Sequence, residues 1–271
     1  YENILLFFHK YNLKKRIFVL KKQNIFKNKK VLITGHTGFK GSWLTFLLNR
    51  LGAKVTGISD HTKTNPSLYE VLKLKSTIND LRIDICNYTK ISKTIHEIKP
   101  DFIFHLAAQS LVHHSYVDPI KTWETNTMGT ISILNSLKNI KHKCVVVMIT
   151  SDKSYNNLEW NWGYRETDQL GGSDPYSASK GAAEFAIKSY VDSFFKKNRN
   201  IRLGIGRAGN VIGGGDWAQN RIIPDCIKSW SKNKYVSLRN PKSTRPWQHV
   251  LEPLSGYITL ASFLYKSYNL H

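Results

Sequence analysis

Three consecutive residues, Ser151, Asp152 and Lys153, place a hydroxyl, a carboxylate and an ammonium group directly after the apolar run Val145–Ile149. A capped, solvated loop explains most clusters of this kind. Whether these groups do chemistry therefore depends on what the fold gathers around the end of that run.

Tyr176 and Lys180 form a second group, four residues apart in the segment DPYSASKGAAE. Residues at this spacing share one face of a helix. A tyrosine of unperturbed pKa ~10 is a poor base at neutral pH, and a nearby cation lowers that pKa. Many helices carry Tyr and Lys in this way without function, but the combination with Ser151 and a glycine loop favours acid–base chemistry.

The glycine loop carries Gly35, Gly38 and Gly41, between a strand predicted over Val31–Thr34 and a helix predicted over Ser42–Leu51. Such a turn presents backbone N–H groups and a helix N-terminus to a pyrophosphate. Glycine also serves tight turns for structural reasons alone. The strand–turn–helix context favours dinucleotide binding, in which the loop would also contribute Thr37, Phe39 and Lys40.

An acidic residue after the second strand refines the choice of cofactor. Asp60 ends the strand predicted over Lys54–Ser59, 19 residues after Gly41. A carboxylate at that point holds the ribose hydroxyls of NAD and disfavours the phosphate of NADP. His61 and Lys63 are basic and weaken the preference, so NAD is the predicted cofactor on balance.

Asp84 and Ile85 close a third strand, predicted over Leu81–Ile85. The carboxylate could accept a hydrogen bond from an adenine amino group. A cap for the helix that starts at Tyr88 is an equal alternative.

Strands and helices alternate along the chain. Further strands are predicted over Asp101–Ala107, Cys144–Thr150 and Ile201–Arg207, and further helices over Tyr88–Ile98, Pro119–Lys138 and Pro175–Lys197. The alternation indicates an α/β fold with a doubly wound, Rossmann-like parallel sheet. Ligands of such sheets bind beyond the carboxyl ends of the strands, where Ser151–Lys153 would lie.

The chain of 271 residues has a formal net charge of +21 and 41% hydrophobic residues, enough apolar content for a packed core. Residues 1–30 carry nine Lys/Arg, and elsewhere the lysines are scattered rather than clustered. Compositional drift therefore explains the charge best, a phosphate-bearing ligand comes second, and nucleic acid is not expected. The three cysteines, Cys86, Cys144 and Cys226, predict reduced thiols in a cytoplasmic protein. We find no metal-ligand spacing, and the apolar runs near the N-terminus are too short to cross a membrane.

Several segments together carry a family resemblance: VLITGHTGFKGSWL, TSDKSYNN, GGSDPYSASKGAAE, RAGNVIGGGDWA and RPWQHVLEPLSGY. They resemble the extended short-chain dehydrogenase/reductase superfamily of nucleotide-sugar enzymes and, within it, the CDP-glucose 4,6-dehydratases. The match covers about residues 30–265. It implies that bound NAD⁺ oxidises C4 of the glucose, that water is lost across C5 and C6, and that hydride returns to C6.

The resemblance also implies roles for individual residues. Ser151 and Tyr176 would polarise the C4 oxygen, and Lys180 would lower the pKa of Tyr176 and bind the nicotinamide ribose. Asp152 would protonate the departing C6 oxygen. Lys153 stands where related dehydratases have the glutamate that removes the C5 proton, and it could act as that base or stabilise the enolate electrostatically.

The remaining implied contacts divide between the cofactor and the substrate. The cofactor cleft would be lined by Leu106, Ala107, Ala108 and Gln109, and the nucleotide diphosphate held by Asn210, Arg221 and Arg245. His113 departs from the family pattern, which has arginine there.

The resemblance suggests three parts: a basic extension over residues 1–29 that we expect to be poorly ordered, an NAD-binding Rossmann-like domain over 30–207, and a substrate lobe over 208–271 that we expect to be cut short. We also expect a homodimer or higher homo-oligomer. The alternatives are another nucleotide-sugar 4,6-dehydratase, a 4-epimerase, or a non-catalytic nucleotide- or nucleic-acid-binding protein. Asp152 and Lys153 argue against an epimerase, because epimerisation at C4 needs no group that expels the C6 hydroxyl.

Overall fold

The computed structural model describes residues 24–238 and 240–269, so most of the extension predicted over 1–29 lies outside the described residues. The end of that extension is described, and Phe26 is only 2% exposed. Its ring packs on those of Phe102 and Phe104, with centroids 4.8 and 6.4 Å apart. The packed domain therefore begins before residue 30, because Phe26 supplies apolar surface to its core.

The central feature is a parallel sheet of six strands in the order β3-β2-β1-β4-β5-β6. The strands are β1 Lys30–Thr34, β2 Lys54–Ser59, β3 Asn79–Arg82, β4 Phe102–His105, β5 Cys144–Ile149 and β6 Ile201–Gly206. The strand order reverses between β1 and β4, and in Rossmann-like sheets the crevice beside such a switch point binds the ligand. The predicted fold class is confirmed.

Helices connect the strands. They are α1 Phe39–Arg50, α2 Leu68–Val71, α3 Tyr88–Ile98, α4 Val112–Val117, α5 Pro119–Trp123, α6 Gly129–Ser136, α7 Pro175–Tyr190, α8 Ile222–Trp230 and α9 Leu251–Lys266. Two short strands, β7 Val211–Ile212 and β8 Gln248–His249, pair in parallel beside the main sheet.

The core lies on both faces of the sheet, because alternate residues of each strand point to opposite sides. In β1, Val31 and Ile33 join the cluster that α1 and α9 cover, whereas Leu32 joins the cluster on the opposite face. In β5, Val145 and Val146 divide in the same way. This double coverage explains why the strands read as continuous apolar runs.

The structure shifts the third strand. It spans Asn79–Arg82 and not the predicted Leu81–Ile85. Polar Asn79 and Asp80 occupy this edge strand, and the apolar Ile85 that suggested a strand packs in the core after the strand has ended.

The helix predicted over Pro119–Lys138 is interrupted. A π-turn over Glu124–Met128 separates α5 from α6. The apolar periodicity of the sequence does not reveal such a turn, because a π-turn adds one residue to the helix without changing which kinds of side chain its buried face carries.

The segment predicted as a separate lobe, 208–271, contributes to both parts of the molecule. Helix α9 packs against β5 and β6 and places Leu254, Tyr257 and Ile258 in the main core. Residues nearer to β7 and α8 cover the crevice instead. There the Trp43 indole N–H donates to the carbonyl of Gly214 at 3.0 Å and fixes a glycine loop onto α1.

Among the residues that the structure describes, no helix is both long and apolar enough to cross a membrane. The same residues contain no cluster of three or more His, Cys, Asp or Glu side chains that could hold a metal ion.

Candidate active site

A cavity of about 620 Å³ opens at the carboxyl ends of the strands. It brings together every site residue predicted from the sequence except Gln109. The glycine loop lies on one side, the ends of β4 and β5 form the floor, and the segment from 208 onward forms the opposite wall.

Ser151 lies in extended backbone just after β5 and is the N-cap of a 3₁₀ helix of one turn, Asp152–Ser154. Its Oγ donates to Asp152 Oδ1 at 2.9 Å and accepts from the Lys153 amide at 3.2 Å. The cluster therefore forms a capped turn, which agrees in part with the explanation of a capped loop without function. All three of its predicted site residues nevertheless line the cavity.

Helix α7 positions the Tyr and Lys pair. Asp174 caps the helix by accepting from the Ser177 amide at 3.0 Å, and Pro175 occupies its first turn. Tyr176 and Lys180 follow on the buried face, with 8% and 6% of their surfaces exposed. Both side chains line the cavity opposite the Ser151 turn.

Burial raises the pKa of Tyr176 above its usual value, because the phenolate would lose solvation. A hydrogen bond with Ser151 and the charge of Arg221 act in the opposite direction. Arg221 is therefore a cation that lowers the pKa of Tyr176 in addition to the expected influence of Lys180.

A buried lysine, Lys180, and a half-buried one, Lys40, share the cavity. Burial lowers the pKa of Lys180 to about 8, helped by the charges of Lys40 and Lys63. Burial likewise lowers the pKa of Lys40 to about 8, with Arg221 lowering it further and Asp152 opposing the shift. Lys40 was predicted as a cofactor ligand of the glycine loop, and its electrostatic neighbours place it beside the Asp152 turn as well.

The glycine loop leaves room for a ligand at one point only. Gly35 has a φ of +74°, and a Cβ there would lie 2.8 Å from the backbone of Ala107. A Cβ at Gly41 would lie 2.0 Å from the Gly35 carbonyl oxygen. A Cβ at Gly38 would meet only that oxygen, at 3.4 Å, so this position faces the cavity. The backbone of the loop, called here the glycine cradle, is therefore open to the cavity at Gly38, as the binding of a pyrophosphate would require.

Asp60 lines the cavity after β2, and its carboxylate accepts from the His61 amide at 2.8 Å. His61 Nδ1 lies 2.9 Å from the other carboxylate oxygen. Lys63 enters the cavity too, where its Nζ donates to the Ala108 carbonyl at 3.0 Å. Burial lowers the pKa of Lys63, against the charges of Asp60 and Asp84.

The structure excludes one of the two interpretations of Asp84, the helix cap. Helix α3 is capped by Asn87, whose side chain accepts from the Lys90 amide, so the helix-cap alternative for Asp84 is wrong. Asp84 and Ile85 line the cavity instead. Burial tends to raise the pKa of Asp84, but hydrogen bonds from the Cys86 amide and Lys121 outweigh it and lower the pKa.

Gln109 is the one predicted site residue that does not line the cavity, whereas Leu106, Ala107 and Ala108 do. Its side-chain Nε2 donates to Thr122 Oγ1 at 3.0 Å, and its backbone N–H donates to Asn126 Oδ1 at 2.9 Å. Gln109 is turned into the protein because these polar groups of α5 and the π-turn need partners.

The three predicted substrate residues of the outer wall all reach the cavity: Asn210, Arg221 and Arg245. Arg221 is held by Asp216, to which its Nη1 donates at 3.0 Å. Arg245 is exposed and donates to the Thr244 carbonyl at 2.5 Å. His113, where the family pattern has arginine, also lines the cavity.

Sequence reasoning missed a buried ion pair beneath the Ser151 turn. Glu184 is 3% exposed and pairs with Arg207, whose Nε lies 2.8 Å from Glu184 Oε1. The sequence contained a signal for the buried position of Glu184, since this residue follows Lys180 by one helical turn in SKGAAE and so lies on the same face of the helix. Ser110 and Asp216, which contact Arg221 in the cavity wall, were missed as well.

Together, the 3-2-1-4-5-6 parallel sheet, the glycine cradle and the buried Tyr–Lys helix define a Rossmann-like protein of the short-chain dehydrogenase/reductase type. The family model described as GDP-mannose 4,6-dehydratase matches residues 32–262. The chain belongs to that family.

Among curated relatives, the chain is 50% identical over 247 residues to the CDP-glucose 4,6-dehydratase of Salmonella typhimurium, covering 90% of this chain and 69% of that one. It is 29% identical to the dTDP-D-glucose 4,6-dehydratase of Dictyostelium discoideum, covering 84% of this chain and 54% of that one. The chain thus spans about half to two thirds of the length of these relatives.

Solved structures show the same fold. A dTDP-glucose 4,6-dehydratase from Streptomyces venezuelae, solved with NAD bound, is similar with a TM-score of 0.76 at 20% identity, over 86% of this chain and 71% of that one. An epimerase from Methanothermobacter thermautotrophicus is similar with a TM-score of 0.78 at 22% identity, over 90% of this chain and 71% of that one.

Proposed function

We propose that this chain catalyses the NAD-dependent dehydration of CDP-glucose to CDP-4-keto-6-deoxyglucose. The observation that carries the proposal is the meeting of two groups in one cavity: the Tyr176–Lys180 face of α7 and the Ser151–Asp152–Lys153 turn. The first group suits oxidation at a sugar hydroxyl and the second suits elimination. The identity of 50% to the Salmonella enzyme supports the choice of nucleotide.

We infer that NAD binds beside the glycine loop, with its pyrophosphate at Gly38, its adenosine ribose at Asp60 and its adenine at Asp84 and Ile85. The support is that all four residues line the cavity and that Gly38 leaves open space there. When bound, NAD⁺ supplies the acceptor for the C4 hydride of the sugar and afterwards its donor to C6.

Tyr176, in its phenolate form, takes the proton of the C4 hydroxyl and becomes the neutral phenol, and Ser151 Oγ holds the same oxygen through a hydrogen bond. Lys180 lies within one helical turn of Tyr176 and contributes positive charge to the pocket. Asp152 then gives its proton to the C6 oxygen, which leaves as water. Lys153 lies on the same turn and either takes the C5 proton or stabilises the enolate that forms.

The outer wall would bind the nucleotide diphosphate. Arg221 presents a planar guanidinium whose donors suit phosphate oxygens, and Asp216 fixes its direction. Asn210 and Arg245 lie in the same wall.

We further propose a homodimer or higher homo-oligomer. Its support is a set of exposed apolar side chains on neighbouring helical segments, with Ile120 72%, Met128 54% and Phe185 59% exposed. We also propose a cytoplasmic location, for which the three free cysteines are the support. Sedimentation of the purified chain and fractionation of its cells test these two points.

The test of the reaction is isotopic. CDP-glucose carrying deuterium at C4 should yield a keto sugar with the label at C6, seen by NMR of the product. A product with the label lost to solvent would overturn the mechanism, and a product epimerised at C4 with its C6 hydroxyl intact would identify a 4-epimerase. Tyr176→Phe should abolish the reaction, and dTDP-glucose and UDP-glucose should turn over more slowly than CDP-glucose.

A further inference from the structure

A buried carboxylate lies directly under the proposed catalytic turn. Glu184 follows Tyr176 and Lys180 at steps of four residues on the buried face of α7. Its Oε1 accepts from Thr150 Oγ1 at 2.7 Å and lies 2.9 Å from Ser154 Oγ. A single carboxylate oxygen on α7 therefore contacts the hydroxyl groups of two residues, Thr150 and Ser154, in the segment that follows β5.

These two hydroxyls bracket the catalytic residues. Thr150 precedes Ser151, and Ser154 follows Lys153. Ser154 Oγ also lies 2.6 Å from the Ser151 carbonyl, which closes the turn on itself. Both ends of the segment are thereby tied to the helix that carries Tyr176.

Arg207 fixes the carboxylate from the third side. Its Nε donates to both oxygens of Glu184, at 2.8 and 3.0 Å. Arg207 is itself held, since its Nη1 donates to the Glu166 carbonyl at 3.1 Å and its guanidinium lies 4.5 Å from the centre of the Tyr155 ring. Bidentate pairs of this kind set direction as well as distance.

Helix packing alone does not need such a pair. Apolar replacements of buried ion pairs are often neutral or stabilising, so burial of these charges is weak evidence for a role in stability. An apolar side chain could fill the same space but could not accept hydrogen bonds from Thr150 and Ser154.

We propose that Glu184, fixed by Arg207, is a positioning residue that holds the Ser151–Ser154 turn at a set distance from Tyr176 and Lys180. The expected effect on kcat rests on the proposed function, whereas the expected effect on the mobility of the turn does not. Misplacement of a reacting group by ~1 Å can cost ~100-fold in rate, so this link has a measurable effect.

The first test does not depend on activity. Hydrogen exchange of the 150–156 segment is followed by mass spectrometry in wild type, Glu184→Gln and Ile187→Ala. Ile187 is 1% exposed on the same helix, so its truncation loosens α7 without touching the turn. Exchange of the segment should rise at least tenfold in Glu184→Gln, because the amide cannot form the bidentate pair with Arg207 that fixes the acceptor oxygen, and should stay near wild type in Ile187→Ala. Equal exchange in both variants would overturn the proposal.

The second test is kinetic and uses whichever sugar nucleotide the wild type turns over. Glu184→Gln should lower kcat ten- to a hundredfold with KM changed less than threefold. The double variant Thr150→Val, Ser154→Ala should show the same loss, because it removes the hydroxyls and leaves the Arg207 pair intact. Combining all three substitutions should add little further loss, since the residues act as one unit. Fully additive losses would contradict the proposal.

The pH profile supplies a readout that a packing defect would not move. Lys180 is faced by Glu184 on its own helix, by Lys40 of α1, by Lys63 after β2 and by His105 of β4. Glu184 raises the pKa of Lys180 against the other influences, so its replacement by Gln should move the alkaline limb of kcat toward lower pH. An unshifted limb would count against it. If Glu184→Gln does not fold, the Thr150→Val, Ser154→Ala variant decides through exchange and kcat. Inactive wild type would instead refute the proposed function alone.

Discussion

Arg221 reaches across the cavity to Ser110, with its Nη2 donating to Ser110 Oγ at 3.2 Å. Ser110 follows β4 on the inner side, whereas Arg221 directly precedes α8 on the outer wall. The two walls are therefore joined by a group that also belongs to the proposed diphosphate site. A bound diphosphate would compete with Ser110 for the same guanidinium.

Arg221→Gln should raise KM for the sugar nucleotide roughly 10- to 100-fold, since a hydrogen bond to a charged group contributes ~1.5–3 kcal/mol. Arg221 also lowers the pKa of Tyr176, so its loss should move the rising, acidic limb of kcat to higher pH. Steady-state kinetics over a pH series checks both effects. Arg50→Gln, at the exposed end of α1, is the matched control. An unchanged KM would remove Arg221 from the substrate site.

Lys153→Ala should leave the oxidation step, seen as transient reduced cofactor by absorbance, and should block loss of water. Lys153→Arg separates the two roles of the ammonium, because arginine keeps the positive charge but cannot act as a base at neutral pH. Recovery of turnover in the arginine variant indicates electrostatic stabilisation, and its failure indicates proton removal. Wild-type turnover in Lys153→Ala would show that neither role is needed.

Lys180→Met should stabilise the fold at neutral pH while abolishing activity. The folded pKa of about 8 lies below the unfolded value of 10.5, so burying the charged amine costs roughly 3 kcal/mol below pH 8. Between pH 8 and 10.5 the unfolded chain binds the extra proton, and the stability of the wild type rises with pH. The advantage of the variant in urea unfolding should therefore be largest at pH 7 and shrink toward pH 10. Lys188→Met, exposed on the same helix, should show neither effect.

The glycines of the loop should respond differently to alanine. Gly38→Ala should fold normally but lose NAD affinity, because its Cβ projects toward the cradle. Gly41→Ala should be strongly destabilised, because its Cβ would lie 2.0 Å from the Gly35 carbonyl oxygen. Gly256→Ala in α9, where a Cβ meets no atom within 4 Å, is the control and should bind NAD as wild type does. Calorimetry and thermal melting separate binding from stability, and equal melting temperatures for Gly38→Ala and Gly41→Ala would contradict the steric argument.

The sequence predicted the elements whose pattern is local. The continuous apolar run of β5 and the glycine spacing identified the sheet and the cradle, and the four-residue step from Tyr176 to Lys180 placed both side chains on one buried face. These features follow from periodicity and turn chemistry within a few residues.

What the sequence did not predict depends on groups that are distant along the chain. Gln109 turns inward because Asn126 and Thr122 approach it from the next helix. Tyr176 has a raised pKa because burial outweighs neighbouring charge, and the extent of burial is a tertiary quantity. The packing of α9 against β5 and β6 likewise joins elements that are distant along the chain.

The π-turn between α5 and α6 changes the rotation of the helical segment between two hydrogen-bonded residues, Thr122 and Thr130. Before it, Thr122 Oγ1 accepts from Gln109 at 3.0 Å, and after it Thr130 Oγ1 lies 3.1 Å from His105 Nε2. Each residue of an α-helix advances it by ~100°, so removing one residue from 124–128 would rotate Thr130 away from His105. The number of residues in this turn is thus constrained as well as the identity of Asn126, which is 1% exposed. Over evolutionary time, this stretch should accept point substitutions at exposed positions such as Met128 while rejecting insertions and deletions.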